Sequence, residues 1–250
     1  MNGARKSSAT AELFNACTHL VGLLMMLAIS WVLIWFGYTK NWENAFGVTF
    51  FTVGMLLMYL ASVTYHFWKP GTKGKLILRK LDHISIYILI ASSYTPICMQ
   101  LVEDNMLLEG WVSFGIIWFL AILGIFYKIF WWLLYPRLSI ILYLILGWSI
   151  LFFIEPVRHS LTTLSLLLII AEGIIYTFGI YFFVNDRTHR YYHGIWHIFV
   201  ILGTLCHWAA VFVMAWPWEN GLGLINLSLS FASHHFTTGR VTYEAASRSQ

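Results

Sequence analysis

The chain has 250 residues, 59% of them hydrophobic and only 10% charged, with a formal net charge of +4. Soluble domains carry roughly a quarter charged residues, so a soluble globule is excluded, and an aromatic content of 18% suits helix ends seated among lipid headgroups. No basic run interleaves with exposed aromatics, which argues against nucleic acid as a partner.

Residues 1–12 are polar, end without a small-residue cleavage site, and read as a cytoplasmic lead-in. A helix needs roughly twenty apolar residues to cross a bilayer, because its backbone polar groups must be satisfied within the segment. Seven stretches qualify, near 13–37, 45–68, 81–101, 110–131, 138–155, 163–184 and 193–216. They are separated by turn chemistry in TKNWEN, KPGTKGK, EDNMLLEG, YPR, EPVRHS and NDRTHR. The expected fold class is therefore all-α, a seven-helix transmembrane bundle over residues 13–216. Residues 217–250 form a tail whose apolar run LGLINLSLSF is about half the length of a span; it is expected to be interfacial or disordered, with His234 and His235 a solvated pair. Cys17, Cys98 and Cys206 lie scattered in apolar stretches, unlike a disulfide framework or a CxxC metal ribbon.

Cytoplasmic loops are enriched in Lys and Arg. With the N-terminus inside, only Lys40, Arg158, Arg240 and Arg248 of the 15 basic residues fall outside. The expected orientation is N-terminus cytoplasmic and C-terminus outside.

Ionisable side chains inside a span are costly and tend to mark function. In ASVTYH, at the inner end of the second helix, Ser62 and His66 are four residues apart and share a face. Asp82 and His83 are expected to open the third helix, and HGIWH begins the seventh with His193 and His197 again four apart. Three helices thus bring Ser62, His66, Asp82, His193 and His197 to one depth, although the spans were set only by apolar length and basic loops. Two histidines a turn apart, with a third from another helix, suit a zinc ion that keeps a tetrahedral position open for water. Asp82 would then take a proton from that water, and Ser62 would hold a ligand or polarise a substrate carbonyl. The bland alternative for HxxxH is a pair of interfacial histidines bonded to loop carbonyls.

SVTYH, LDHISIYILIASSYTP and HGIWHIFVILGTLCHW together resemble the hemolysin III proteins, the bacterial branch of the progestin and adipoQ receptor family. ELFNACTHLVG, with Glu12, Asn15 and His19, looks like that family's first helix, so the likeness runs from about Glu12 to Trp208. It implies zinc held by His66, His193 and His197, with Ser62 and Asp82 as the accompanying serine and aspartate. The family is also similar in these residues to a superfamily that includes alkaline ceramidases, which implies hydrolysis of lipid amide bonds, and its bacterial branch implies the inner (plasma) membrane. An open three-histidine site with an aspartate at lipid depth gives the leading expectation, a zinc-dependent hydrolase of lipid amide or ester bonds with membrane lipids as partners.

Several other polar positions carry expectations. His207, about 15 Å beyond His197 along a helix, reads as a core histidine, and His19 as either a metal-supporting or a packing residue. His83 is expected to meet a loop or a headgroup. Glu12 and Asn15 are placed to pair with the basic loop from Lys73 to Lys80, and Glu172, inside the sixth span, must be protonated or paired. Pro96 is a candidate kink, while Gly124, Gly147, Gly173 and Gly179 suit close helix contacts. Competing functions are a sensor or receptor with structural zinc and a bound lipid, a membrane-disrupting hemolysin-type factor, and a haem-binding cytochrome.

Overall fold

The structure is a computed structural model and describes residues 8–131, 134 and 138–216. Among these residues there is no strand, and seven helical spans are long and apolar enough to cross a bilayer. The helices are α1 (Ala9–Lys40), α2 (Trp42–Phe67), α3 (Lys73–Glu103), α4 (Leu107–Phe130), α5 (Leu138–Gly147), α6 (Ile154–Ser160), α7 (Thr163–Val184) and α8 (Tyr192–Ala215). A 3-10 turn, Ser149–Phe153, joins α5 to α6, so that these three pieces make the fifth span, Leu138–Ser160. The chain is thus a multi-pass integral membrane protein. The expectations for the tail 217–250 and for the YPR break lie outside the described residues.

Starts are marked by side chains that occupy otherwise unpaired backbone N–H groups. Ser8 accepts from the amide of Ala11, Asn41 from Asn44, Thr72 from Lys75 and Thr162 from Ser165. The Thr72 cap corrects one expectation: α3 begins at Lys73, not at Asp82. The basic stretch from Lys73 to Lys80 is helical because a polar first two turns can lie at the headgroup level without cost to hydrogen bonding. Asp82 and His83 therefore sit in the third turn, inside the bundle. EPVRHS, expected as a break, is the helix α6.

Helix α1 packs on α2 and α8, α2 on α3, α3 on α4, and α7 on α8. The α3 helix is the most buried span, and its Pro96 rests against Gly47 of α2, where a side chain would strike the Pro96 backbone. At the bundle end where α1 finishes, the Glu103 carboxylate accepts from Lys40 Nζ at 3.1 Å, Asn41 Nδ2 at 2.8 Å and Asn44 Nδ2 at 2.7 Å. Lys40 Nζ also donates to the Met214 carbonyl at 3.0 Å. One carboxylate thereby ties α1, α2, α3 and α8 together.

The fifth span is different. Its break at Gly147 exposes backbone groups at membrane depth, where each needs a partner, and Tyr94 of α3 supplies two bonds. The Tyr94 hydroxyl donates to the Gly147 carbonyl at 2.6 Å and accepts from the Ile150 amide at 2.9 Å. Gly147 is expected at a close helix contact, but no atom of the described residues stands within 4 Å of where its side chain would begin; Trp148, beside it, packs toward Gly173 and donates to Thr177 at 3.1 Å. Between α3, the fifth span, α7 and α8 lies a cavity of about 160 Å³.

Candidate metal centre

The last turns of α2 and the first turns of α8 meet at the bundle end where α1 begins. The α2 contribution is His66, with Ser62 one turn away, and the α8 contribution is His193 and His197. Ring centroids are 5.1 Å apart for His66 and His193, 5.1 Å for His66 and His197, and 4.7 Å for His193 and His197. One nitrogen from each ring falls within 4.8 Å of the other two. Nitrogens around a tetrahedral ion at the usual bond lengths stand about 3.3 Å apart, so small side-chain rotations would close the set.

The surrounding groups decide which nitrogens are free. His197 Nδ1 lies 3.0 Å from the Asn15 carbonyl oxygen. A carbonyl only accepts, so Nδ1 carries the proton and Nε2 keeps its lone pair. Thr18 Oγ1, 3.1 Å from the same Nδ1, donates its own proton to that carbonyl at 2.8 Å. His66 Nδ1 lies 3.0 Å from Glu12 Oε2, which also accepts from Lys75 Nζ at 2.9 Å. The lysine holds Glu12 as a carboxylate, so His66 too donates from Nδ1 and leaves Nε2 bare. His193 Nδ1 is 3.4 Å from Asp186 Oδ2, too poorly placed for a hydrogen bond. Nε2 of His66 and Nε2 of His193 are buried without a hydrogen-bonding partner among the described residues. Buried polar atoms are rarely left so, and converging imidazole lone pairs are the donor set a divalent ion of zinc type requires.

Asp82 lies in electrostatic reach of His66 and His193 but stands outside the three-nitrogen group. The buried Ser62 hydroxyl approaches the Asp82 carboxyl without closing a well-formed hydrogen bond. Ser62, Asp82, His193 and His197 all border the cavity. The five residues singled out from the sequence are therefore brought to one place.

The remaining expectations divide. Glu12 does pair with the basic stretch, here the first turn of α3, through Lys75, and Asn15 acts through its backbone carbonyl. His19 stacks on His197 with ring centroids 3.6 Å apart and stands edge-on to Tyr59 at 5.2 Å; it braces a candidate ligand without joining the nitrogen group. His83 borders the cavity with its Nδ1 buried, so the expected loop or headgroup contact is corrected: in the third turn of α3 its side chain faces inward. Glu172 and His207 prove to be partners. Sequence reasoning did not find Asp186 beside His193, whose only signal was an acidic residue in NDRTHR just before the seventh span, nor Lys128, buried on α4 with Nζ 3.0 Å from Ser139 Oγ.

The profile of haemolysin-III related proteins matches residues 7–208. The chain is 35% identical over 195 residues to the hemolysin-3 homolog of Bacillus subtilis, covering 77% of this chain and 89% of that protein. To the hemolysin-3 of Bacillus cereus it is 36% identical over 196 residues, covering 77% and 86%. A more distant relative is the human monocyte to macrophage differentiation factor, 26% identical over 214 residues, covering 84% and 87%. The matched region holds α1 to α8 as far as Trp208 and with them every residue of the histidine cluster, and on this evidence the chain belongs to the haemolysin-III related family.

Proposed function

We propose that this protein is a zinc-dependent hydrolase that cleaves an amide or ester bond of a membrane lipid at the cytoplasmic leaflet. The observation that carries the reading is the tautomer arrangement: hydrogen bonds to Glu12 and Asn15 leave Nε2 of two buried imidazoles with its lone pair free, in a three-histidine group whose nitrogens lie within 4.8 Å of one another, beside a cavity that Asp82 also borders. A zinc ion held by His66, His193 and His197 would supply a Lewis acid and a water acidic enough to react near neutral pH.

The chain's own groups account for the rest. Asp82 Oδ takes the proton lost as water adds to the acyl carbon, and returns it to the leaving nitrogen or oxygen as the bond to the acyl carbon breaks. The Ser62 hydroxyl, within reach of Asp82, orients that carboxyl. Apolar walls from α3 and α8 hold the acyl chain and keep bulk water from the reacting carbon. Lys69 and the basic first turns of α3, with Lys73, Lys75, Arg79 and Lys80, favour the cytoplasmic side for this end of the bundle.

Metal analysis of the purified protein tests the reading, followed by assay of long-chain N-acyl amides and ester lipids before and after chelation. About one zinc per chain is expected, with turnover lost on stripping and restored by zinc. Turnover indifferent to chelation would overturn the proposal. Bound metal with no turnover of any lipid would favour a sensor in which the ion is structural. Glu12→Gln should weaken zinc binding by about 10–100-fold, measured by chelator competition, because the amide no longer fixes His66 in the Nδ1–H form.

A further inference from the structure

The cavity has a second polar pole. Glu172 of α7 and His207 of α8 join at 2.6 Å between Oε2 and Nδ1, with side chains 11% and 2% exposed. The His207 ring lies against Phe51, centroids 4.7 Å apart. Nearby hydroxyls are already engaged: Tyr59 and Tyr176 both bond Thr204 Oγ1, at 3.2 and 3.1 Å, and Thr204 donates to the Val200 carbonyl at 2.6 Å. Glu172 differs from them. Its Oε2 is taken by His207, whereas among the described residues no group bonds Oε1, and Oε1 is not sealed from the surroundings. Both Glu172 and His207 border the same cavity as Asp82 and His197.

A carboxyl and an imidazole in a membrane interior are costly, and beyond their mutual bond this pair leaves Glu172 Oε1 and the buried His207 Nε2 without a hydrogen-bond partner among the described residues. Both residues line the cavity, so a ligand lying there reaches them. His207 is ten residues from His197 on one helix, which sets the poles about 15 Å apart. The lining between them is apolar, with Met58, Leu89, Ile169 and Val200. We infer that Glu172 and His207 form a second polar subsite, taking a hydroxyl carried part-way along the acyl chain of a lipid whose acyl carbonyl lies at the three-histidine pole. The placement of the carbonyl rests on the function proposed above. A hydroxyl is the fitting group because it both donates and accepts. It can give its proton to a carboxylate Oε1, or receive one if the pair shares its protons the other way.

The test compares two free acids, stearic acid and stearic acid hydroxylated on its twelfth carbon, by calorimetric titration of the metal-loaded full-length protein in one detergent. The hydroxylated acid is expected to bind roughly fivefold to tenfold tighter, the net worth of about one hydrogen bond. A hydroxyl on the sixth carbon, which falls short of the pair, should gain nothing. In Glu172→Leu/His207→Phe, where both partners become apolar so that neither is left unpaired, the two acids should bind alike. Equal binding of the acids by the wild type, equal gain at the sixth and twelfth carbons, or a preference that persists in the double variant would each overturn the subsite. If the preference is found and is lost with the pair while no lipid is hydrolysed, hydrolysis is the reading that fails. If lipids are hydrolysed but the acids bind alike, the subsite alone fails.

Discussion

His66→Ala should yield a folded protein that purifies almost free of metal, with zinc affinity lowered by more than the roughly 100-fold that loss of a supporting residue costs. The argument for a clean loss lies in what the substitution leaves behind. Breaking a buried ion pair usually strands a charge, at a cost of about 3–5 kcal/mol. Here Glu12 keeps Lys75 at 2.9 Å, so removal of the imidazole leaves its carboxylate paired and the α1–α2 contact intact. The vacated space borders two other histidines, which hold a divalent ion poorly as a pair. Elemental analysis should find far less than one zinc per chain, and thermal unfolding of the variant should match that of chelator-treated wild type, since metal stabilises only by binding the folded state. Wild-type stoichiometry in His66→Ala would show that the ion, if any, is held elsewhere. His207→Ala is the instructive contrast, because it removes the hydrogen-bond partner of the buried Glu172 carboxyl.

This difference between two buried histidines is invisible in the sequence, where both are one histidine in an apolar helix. What could be read was whatever depends on one segment at a time. Seven spans follow from apolar length, and Ser62 with His66, or His193 with His197, share faces because four residues make one turn. The common depth of these pairs then follows from antiparallel threading. What could not be read depends on the rotation of one helix against another. Glu172 and His207 are 35 residues apart, and their meeting needs the register of α7 on α8. The bond from Glu12 to His66 needs that of α1 on α2. The third helix was placed too late for a different reason: residues 73–80 are too polar to count toward a span, yet a helix may begin in the headgroup layer and carry Asp82 into the interior by its third turn. Breakage of the fifth span at Gly147 was equally hidden, since the partner that makes it tolerable is Tyr94, 53 residues earlier.

Asp82→Asn should separate catalysis from metal binding. Asp82 is not one of the three nitrogen donors, so the variant should retain zinc at the wild-type level, and asparagine keeps the size and polarity of the side chain beside Ser62. It cannot accept a proton from water, however, and loss of a positioned acid–base group lowers rates by about 10²–10⁴-fold. Lipid turnover at saturating substrate should fall by that factor, with substrate binding and zinc content little changed. Ser62→Ala is expected to be milder, because its hydroxyl acts on the orientation of Asp82. In the Asp82→Asn background the serine substitution should then add little, since two residues acting through one carboxyl do not combine independently. Undiminished turnover in Asp82→Asn would remove Asp82 from the chemistry. Full additivity of the two substitutions would give Ser62 a direct contact with the substrate carbonyl instead, with its buried hydroxyl as the donor to the oxygen that gains charge as water adds.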